Sequence, residues 1–342
     1  MKLLEKLKNS YNLTPFKDGI LYIERDNKNE NSYGKLFYDS GIKKSLLDQF
    51  DAAFVSKSFY LCCSNSFQNE KDARMILLND DFDIIKKLPD GVTTYLCNRD
   101  YYYAHKDADK GLFSYESDDL WVRKNNVSGY GKMALDNNYY VEADNETGIL
   151  YINNISDKTC LTIDVFKSLK IPLSDDSYFS LAYLIANNLL VFAHTYFVII
   201  DCKTGEILFQ LDTQIGFRQF EVVFPTIYCS AGSHIAKYMF ETHNSIKDIY
   251  KHRLERAENE YVGNDYISLS FIRRINIFGN KIYGINTSTP SFLLVQDASN
   301  GQRLEAIDLR QFGIKEASEV VVTKDKFYIS DYDSNVWILK ND

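Results

Sequence analysis

Two stretches have the spacing of a calcium-binding loop: Asp107, Asp109 and Gly111, and Asp331, Asp333 and Asn335. A hard cation needs six or more oxygens, so such a loop ends in a further carboxylate. The positions eight and eleven past Asp331 are Leu339 and Asp342, and those past Asp107 are Tyr115 and Asp118. Both stretches fall where hairpin turns are required, and they are read as turns. The five histidines, His105, His194, His234, His243 and His252, form neither an HxH nor an HExxH motif, so no zinc site is expected. Ser230-Ala231-Gly232-Ser233-His234 lacks the G-x-S-x-G of a nucleophile elbow. The 16 glycines do not gather into a phosphate-cradling loop. The carboxylate pairs Asp80-Asp81, Asp118-Asp119 and Asp175-Asp176 lie in segments that read as solvated turns. A glycosidase would need two such groups facing each other across about 5–10 Å. No catalytic residue, metal or cofactor is assigned.

The six cysteines, Cys62, Cys63, Cys97, Cys160, Cys202 and Cys229, show no CxxC and sit in apolar patterns, as reduced buried thiols do. The opening Met1-Lys2-Leu3-Leu4-Glu5-Lys6-Leu7-Lys8 is broken by charge and has no apolar export segment. No apolar run approaches the roughly 18 residues of a membrane span. A cytoplasmic protein is expected. The net charge is −8 with no basic block, which argues against nucleic acid and fits a basic protein partner.

These side chains must be positioned by strands. The chain carries 25 Tyr and 22 Phe but only 2 Trp, a bias suited to pleated, half-buried surfaces. One unit recurs: an apolar segment, a polar turn, then a strand opening with an apolar residue and usually Tyr. Its markers are Tyr22, Tyr60, Tyr102, Tyr140, Leu190, Tyr228, Tyr283 and Tyr328. They are 38, 42, 38, 50, 38, 55 and 45 residues apart. The mean is about 44, within the period of a propeller blade. The expectation is an all-β, closed β-propeller of four-stranded blades forming a single domain over 1–342. The markers count eight blades; seven is the alternative if the Tyr228 unit is an irregular insertion. The last unit shows three strands, Glu319–Val322, Phe327–Ser330 and Val336–Leu339, and Leu3–Leu7 is expected to supply the fourth.

Within 241–265 the pattern changes. Ile246, Ile249, Tyr250 and Leu254 are spaced as on one face of a helix, and Ser245 with Asp248 resembles a capping box. A short helical insertion over 244–258 is expected. Ile246, Ile249, Tyr250, His252 and Arg253 are its candidate partner-binding residues.

Two segments carry a more specific pattern. Val198-Ile199-Ile200-Asp201-Cys202-Lys203-Thr204-Gly205-Glu206-Ile207-Leu208-Phe209 resembles the quinoprotein-like (PQQ-type) propeller repeat, and Leu293–Leu304 is similar, with Asp297 and Gly301 at the turn. Where that family places Trp, this chain has Phe209 and Glu305. The resemblance implies the fold and not the quinone chemistry. The functional expectation is a non-catalytic protein-binding scaffold, in its sharper form an immunity-type inhibitor of a basic toxin. The alternative is an enzyme or a sugar- or ligand-binding propeller acting at a central channel.

Overall fold

The computed structural model describes residues 1–25, 34–50, 52–55, 61–64, 75–88, 96–98, 100–106, 109–117, 120–123, 133–231, 234–242, 245–253, 261–262, 265–266, 272–286 and 291–340. Among them the chain forms eight antiparallel meander sheets, numbered 1 to 8 by their first residue after Ser10, and one small hairpin, Tyr261–Val262 with Asp265–Tyr266. Seven sheets have four strands. Sheet 3 has three, with Cys97 bridged to Tyr102 in the place of a first strand.

The burial gradient explains the sequence pattern. In sheet 5 the second strand, Asn188–Ala193, is buried along its length, while the fourth, Ile207–Asp212, is half-exposed. A strand covered on both faces must be a continuous apolar run, whereas an outer strand can alternate. The repeat markers fall on these covered second strands. Tyr22, Tyr102, Tyr140, Leu190, Tyr228, Tyr283 and Tyr328 are all buried, and each full burial of this kind contributes about 1.5–3 kcal/mol. Tyr60 lies outside the described residues.

The residues divide into two compact units. One comprises Met1–Ala53, Arg218–Phe240 and Lys247–Asp342, and contains sheets 7, 8 and 1 with most of sheet 6. Its cores lie between successive sheets. Tyr228 and Ile235 of sheet 6 pack on Ile282 and Leu294 of sheet 7. Tyr283 and Val295 of sheet 7 pack on Val320 and Phe327 of sheet 8. Tyr328 and Ile338 of sheet 8 pack on Ile20 and Tyr22 of sheet 1. The other unit, Phe54–Phe217 with Glu241–Ile246, repeats the scheme. Leu77 meets Tyr102 between sheets 2 and 3, Tyr103 meets Tyr140 between 3 and 4, and Val141 lies with Val191 between 4 and 5.

Sheet 8 is completed as expected. Lys2–Leu7 pairs antiparallel with Val336–Lys340, and the Lys6 ammonium lies 4.0 Å from the Trp337 ring centre. Sheet 8 is also clasped to sheet 1. The buried Asp39 carboxylate accepts from Lys326 Nζ at 3.2 Å and from the Tyr328 hydroxyl at 3.0 Å. Burial, and then the Asp39 charge, push the Tyr328 phenol far above its ordinary range.

The two segments that carry the family resemblance form the same turn. Asp201 Oδ1 accepts from the Lys203 and Thr204 amides, and Asp297 Oδ1 from the Ser299 amide. Gly205 and Gly301 then take φ of +75° and +74°. Sheet 4 makes a third copy, with Asn154 accepting from Ser156 and Asp157 and Lys158 at φ +55° in the glycine position.

The helical expectation at 244–258 is corrected. Ser245–Arg253 is the fourth strand of sheet 6, and residues 254–260 lie outside the described set. Ile246 and Tyr250 are four residues apart, a spacing that keeps two side chains on one face of a strand as well as of a helix. Ser245 caps nothing; its hydroxyl bonds that of Thr242 at 2.7 Å. The α-helix among the described residues is Val165–Leu169, capped by Asp164. No helix of the described residues is long and apolar enough to cross a membrane.

Candidate functional site

The five partner-binding candidates share the outer strand of sheet 6, but not one face. Ile246 and Tyr250 are buried, and Tyr250 packs with Tyr228 and Ile235 of its own sheet and with Ile282 and Leu294 of sheet 7. The Tyr250 hydroxyl donates to the Ala298 carbonyl at 3.4 Å, and its ring stacks on His252 at 5.4 Å. Ile249, His252 and Arg253 are exposed. This strand and its partner, His234–Thr242, are nine residues each, longer than the other strands among the described residues. Among the described residues nothing pairs with its outer edge.

The motifs weighed for chemistry are structural where they can be seen. Asp331 accepts from the Asp333 and Asn335 amides, the Asn335 side-chain amide and Trp337 Nε1, at 2.8–3.0 Å. Its oxygens are occupied by turn donors, which is a hairpin function. Asp107 of the other copy lies outside the described residues, as do Asp118-Asp119 and His243. Asp81 and Asp83 amides bond Asn79 Oδ1 in an exposed turn of sheet 2. Among the described residues no three metal-ligating side chains converge. Ser230 is an interior strand residue whose hydroxyl is buried and donates toward Gln219. Of the thiols described, Cys97, Cys202 and Cys229 are buried and Cys160 is exposed. Burial pushes Cys202 up to about 12 and holds Cys229 well above a normal thiol.

Sequence reading missed a cavity of about 310 Å³ between sheets 7 and 8. Its base is one face of sheet 7, where Tyr283, Val295 and Glu305 sit directly opposite one another on the second, third and fourth strands. Lys281 lies two residues from Tyr283 on the same face, and Ile307 two from Glu305. Sheet 8 contributes Phe327, whose ring meets Tyr283 edge-on at 5.5 Å. The remaining wall is Met1 together with Gln311 and Phe312 of the short 3-10 turn Leu309–Phe312. That turn is held by Asp308, which accepts from the Arg310 amide at 2.9 Å and pairs with its guanidinium. The Arg310 side chain holds the Asp308 carboxyl below its ordinary range. Gly313 closes the turn at φ +88°.

Lys281 and Glu305 are exposed at its rim, and neither makes an ion pair or side-chain hydrogen bond among the described residues. Tyr283 is 4% exposed, yet among the described residues its hydroxyl has no protein partner. Burial, and then the nearby Glu305 charge, raise its pKa, so it is a neutral phenol able to donate one hydrogen bond and accept another. The arrangement can orient a small amphipathic group; it contains no nucleophile beside a base. One signal for it stood in the sequence: Glu305 occupies the position where the quinoprotein-like motif has Trp.

No family model matches the sequence, and no curated protein matches it. Solved structures do. Sqt1 of Chaetomium thermophilum, solved bound to the N-terminus of a ribosomal protein, is similar with a TM-score of 0.57 at 10% identity, over 97% of this chain and 96% of that one. Sqt1 of Saccharomyces cerevisiae has a TM-score of 0.54 at 10% identity over 99% of each chain. BamB from Moraxella catarrhalis has a TM-score of 0.54 at 9% identity, again over 99% of each. The fold is a β-propeller. The likeness to the quinoprotein-like repeat holds at the level of that fold. The stacked sheets are propeller blades, and the cavity opens between two neighbouring blades, 7 and 8.

Proposed function

We propose that this propeller is a non-catalytic protein-binding scaffold, and that its contact is the outer strand of sheet 6. The observation that carries this reading is the nine-residue edge Ser245–Arg253, with Ile249 exposed between Lys247 and Arg253. A long edge with an apolar side chain at its centre offers main-chain pairing for affinity and a side-chain contact for specificity. The net charge of −8 supports a partner of basic overall surface, which such a charge would draw in on approach. A cytoplasmic immunity-type inhibitor of a basic toxin is the sharper form of the reading. It agrees with the same charge. A propeller of similar fold was solved bound to the N-terminus of another protein, a precedent for this use of the fold.

The test is cross-linking from a photoreactive residue at position 249, followed by reconstitution with the purified partner. Ile249→Lys removes the apolar contact and is expected to weaken binding at least about tenfold. Unchanged affinity, with the fold intact by circular dichroism, would move the interface elsewhere.

A further inference from the structure

The outer strand of sheet 6 also specifies the kind of strand that would pair with it, an inference that rests on the edge reading above. Successive side chains of a strand point to opposite faces, so Lys247, Ile249, Lys251 and Arg253 share one face of Ser245–Arg253, and Asp248, Tyr250 and His252 share the other. Lys247, Ile249 and Arg253 are exposed and Lys251 is half-buried. The first face is therefore one apolar side chain with a lysine two residues to either side, an arginine beyond, and no carboxylate on the strand. Its sign is opposite to that of the chain as a whole, whose net charge is −8. Lys247 and Lys251 already take part in interactions of their own. At an exposed edge such contacts are weak, and they exchange readily for a better-placed carboxylate.

We propose that the segment which adds to this edge is an acidic strand, with an apolar side chain at its centre and carboxylates on the same face two residues to either side. Residues directly opposite each other in adjacent strands bring their Cβ atoms to about 4.5–5.5 Å, where opposite charges attract and like charges oppose pairing. An apolar residue opposite Ile249 then sets carboxylates opposite Lys247 and Lys251, whichever way the segment runs. A second copy of this chain is a poor occupant: antiparallel pairing about Ile249 sets Lys247 of one copy against Lys251 of the other. The local and the net charge act over different ranges. The net −8 draws on the partner's whole surface during approach. At about 0.1 M salt, screening over about 10 Å leaves the pairing strand to meet the edge's own side chains. A partner that is basic overall and docks through an acidic strand satisfies both.

The experiment is fluorescence anisotropy of dye-labelled nine-residue peptides, matched in length to the edge and titrated with the full chain at about 0.1 M salt. Glu-Thr-Glu-Thr-Val-Thr-Glu-Thr-Glu reads the same in both directions and carries its valine and carboxylates on one face. It is set against the same peptide with Gln, or with Lys, in place of Glu. The fourth peptide, Thr-Glu-Thr-Glu-Val-Glu-Thr-Glu-Thr, has the same composition but turns every carboxylate to the face of Asp248. The first peptide is expected to bind at least about fivefold more tightly than the glutamine and face-shifted peptides, and at least about tenfold more tightly than the lysine peptide. Lys247→Glu combined with Lys251→Glu is expected to reverse the preference toward the lysine peptide. If circular dichroism shows that this variant has lost its fold, the comparison of the four peptides on the parent chain decides alone. Equal binding of the glutamate, glutamine and lysine peptides, or of the face-shifted one, overturns the proposal and leaves the edge as the contact. No binding by any of the four overturns the edge reading as well. A dimer of the chain alone that Ile249→Lys dissolves would seat a second copy on the edge, and that too overturns the proposal.

Discussion

Replacing Asp39 with alanine strikes the clasp between sheets 1 and 8. The carboxylate is 7% exposed and accepts from Lys326, Tyr328 and the Gly41 amide. Its removal leaves a phenol that is 1% exposed without its acceptor and an ammonium without its counter-charge. Breaking a buried pair from one side costs about 3–5 kcal/mol. Lys326 retains 23% exposure, so water recovers part of its solvation, and the lower end, about 3 kcal/mol, is expected. Unfolding entropy runs at about 2.1 cal/mol/K per residue, so for 342 residues unfolding together the melting temperature falls by about 4 °C. Asp39→Asn keeps an acceptor for Tyr328 and loses only the charge, and should fall by about half as much. In a cycle with Lys326→Met, the double variant should be less damaged than the two single effects combined by about 1–2 kcal/mol. Thermal and urea unfolding followed by circular dichroism give these values. Alanine at 39 within 1 °C of the parent, about 0.7 kcal/mol on the same scale, or strict additivity in the cycle, would refute the reasoning.

Lys158→Gly should stabilise by about 0.5–1 kcal/mol, because a left-handed lysine costs more than the backbone freedom glycine adds to the unfolded chain; a loss in urea unfolding would show that the Lys158 side chain contributes to the turn. Gln296 is 1% exposed and among the described residues neither of its amide atoms is bonded, so Gln296→Met, similar in volume, should gain about 1–3 kcal/mol, and a fall in melting temperature would mean the amide is engaged in the folded protein. Burial raises the Glu221 pKa above its unfolded value, so its charged form opposes folding and stability declines as pH rises through the folded pKa. Glu221→Gln should therefore stabilise at neutral pH and make no difference below about pH 4, where both states are protonated; an equal gain at both pH values would rule out ionisation as the cause.

The repeat was readable because its two ingredients are dictated locally. A strand covered on both faces has to be apolar, so Tyr22, Tyr140, Leu190 and Tyr328 recur on second strands. The tight turns need side-chain acceptors, so Asp136 precedes the second strand of sheet 4, and Asp201 and Asp297 end the third strands of sheets 5 and 7. The outer strand of sheet 6 was misread because Ile246 and Tyr250 satisfy both periods, and only Ile249, exposed on the other face, separates them. The cavity was not readable as a site. Tyr283, Glu305 and Phe327 are about 20 residues apart in turn and converge only once sheets 7 and 8 are stacked. Only Glu305, a carboxylate where the motif has an aromatic residue, marked the place.

The pairing of Lys2–Leu7 with Val336–Lys340 also imposes an order on manufacture. A chain emerging residue by residue carries Lys2–Leu7 unpaired until Val336–Lys340 has been made. Once made, the Val336 strand of sheet 8 is an open edge until Lys2–Leu7 pairs with it, and a Lys2–Leu7 strand from a neighbouring nascent chain would fit it equally well. Crowded polysomes should therefore yield exchanged pairs that dilute synthesis does not, with the lysines and Glu5 of that strand, exposed and solvated, the main brake on the error.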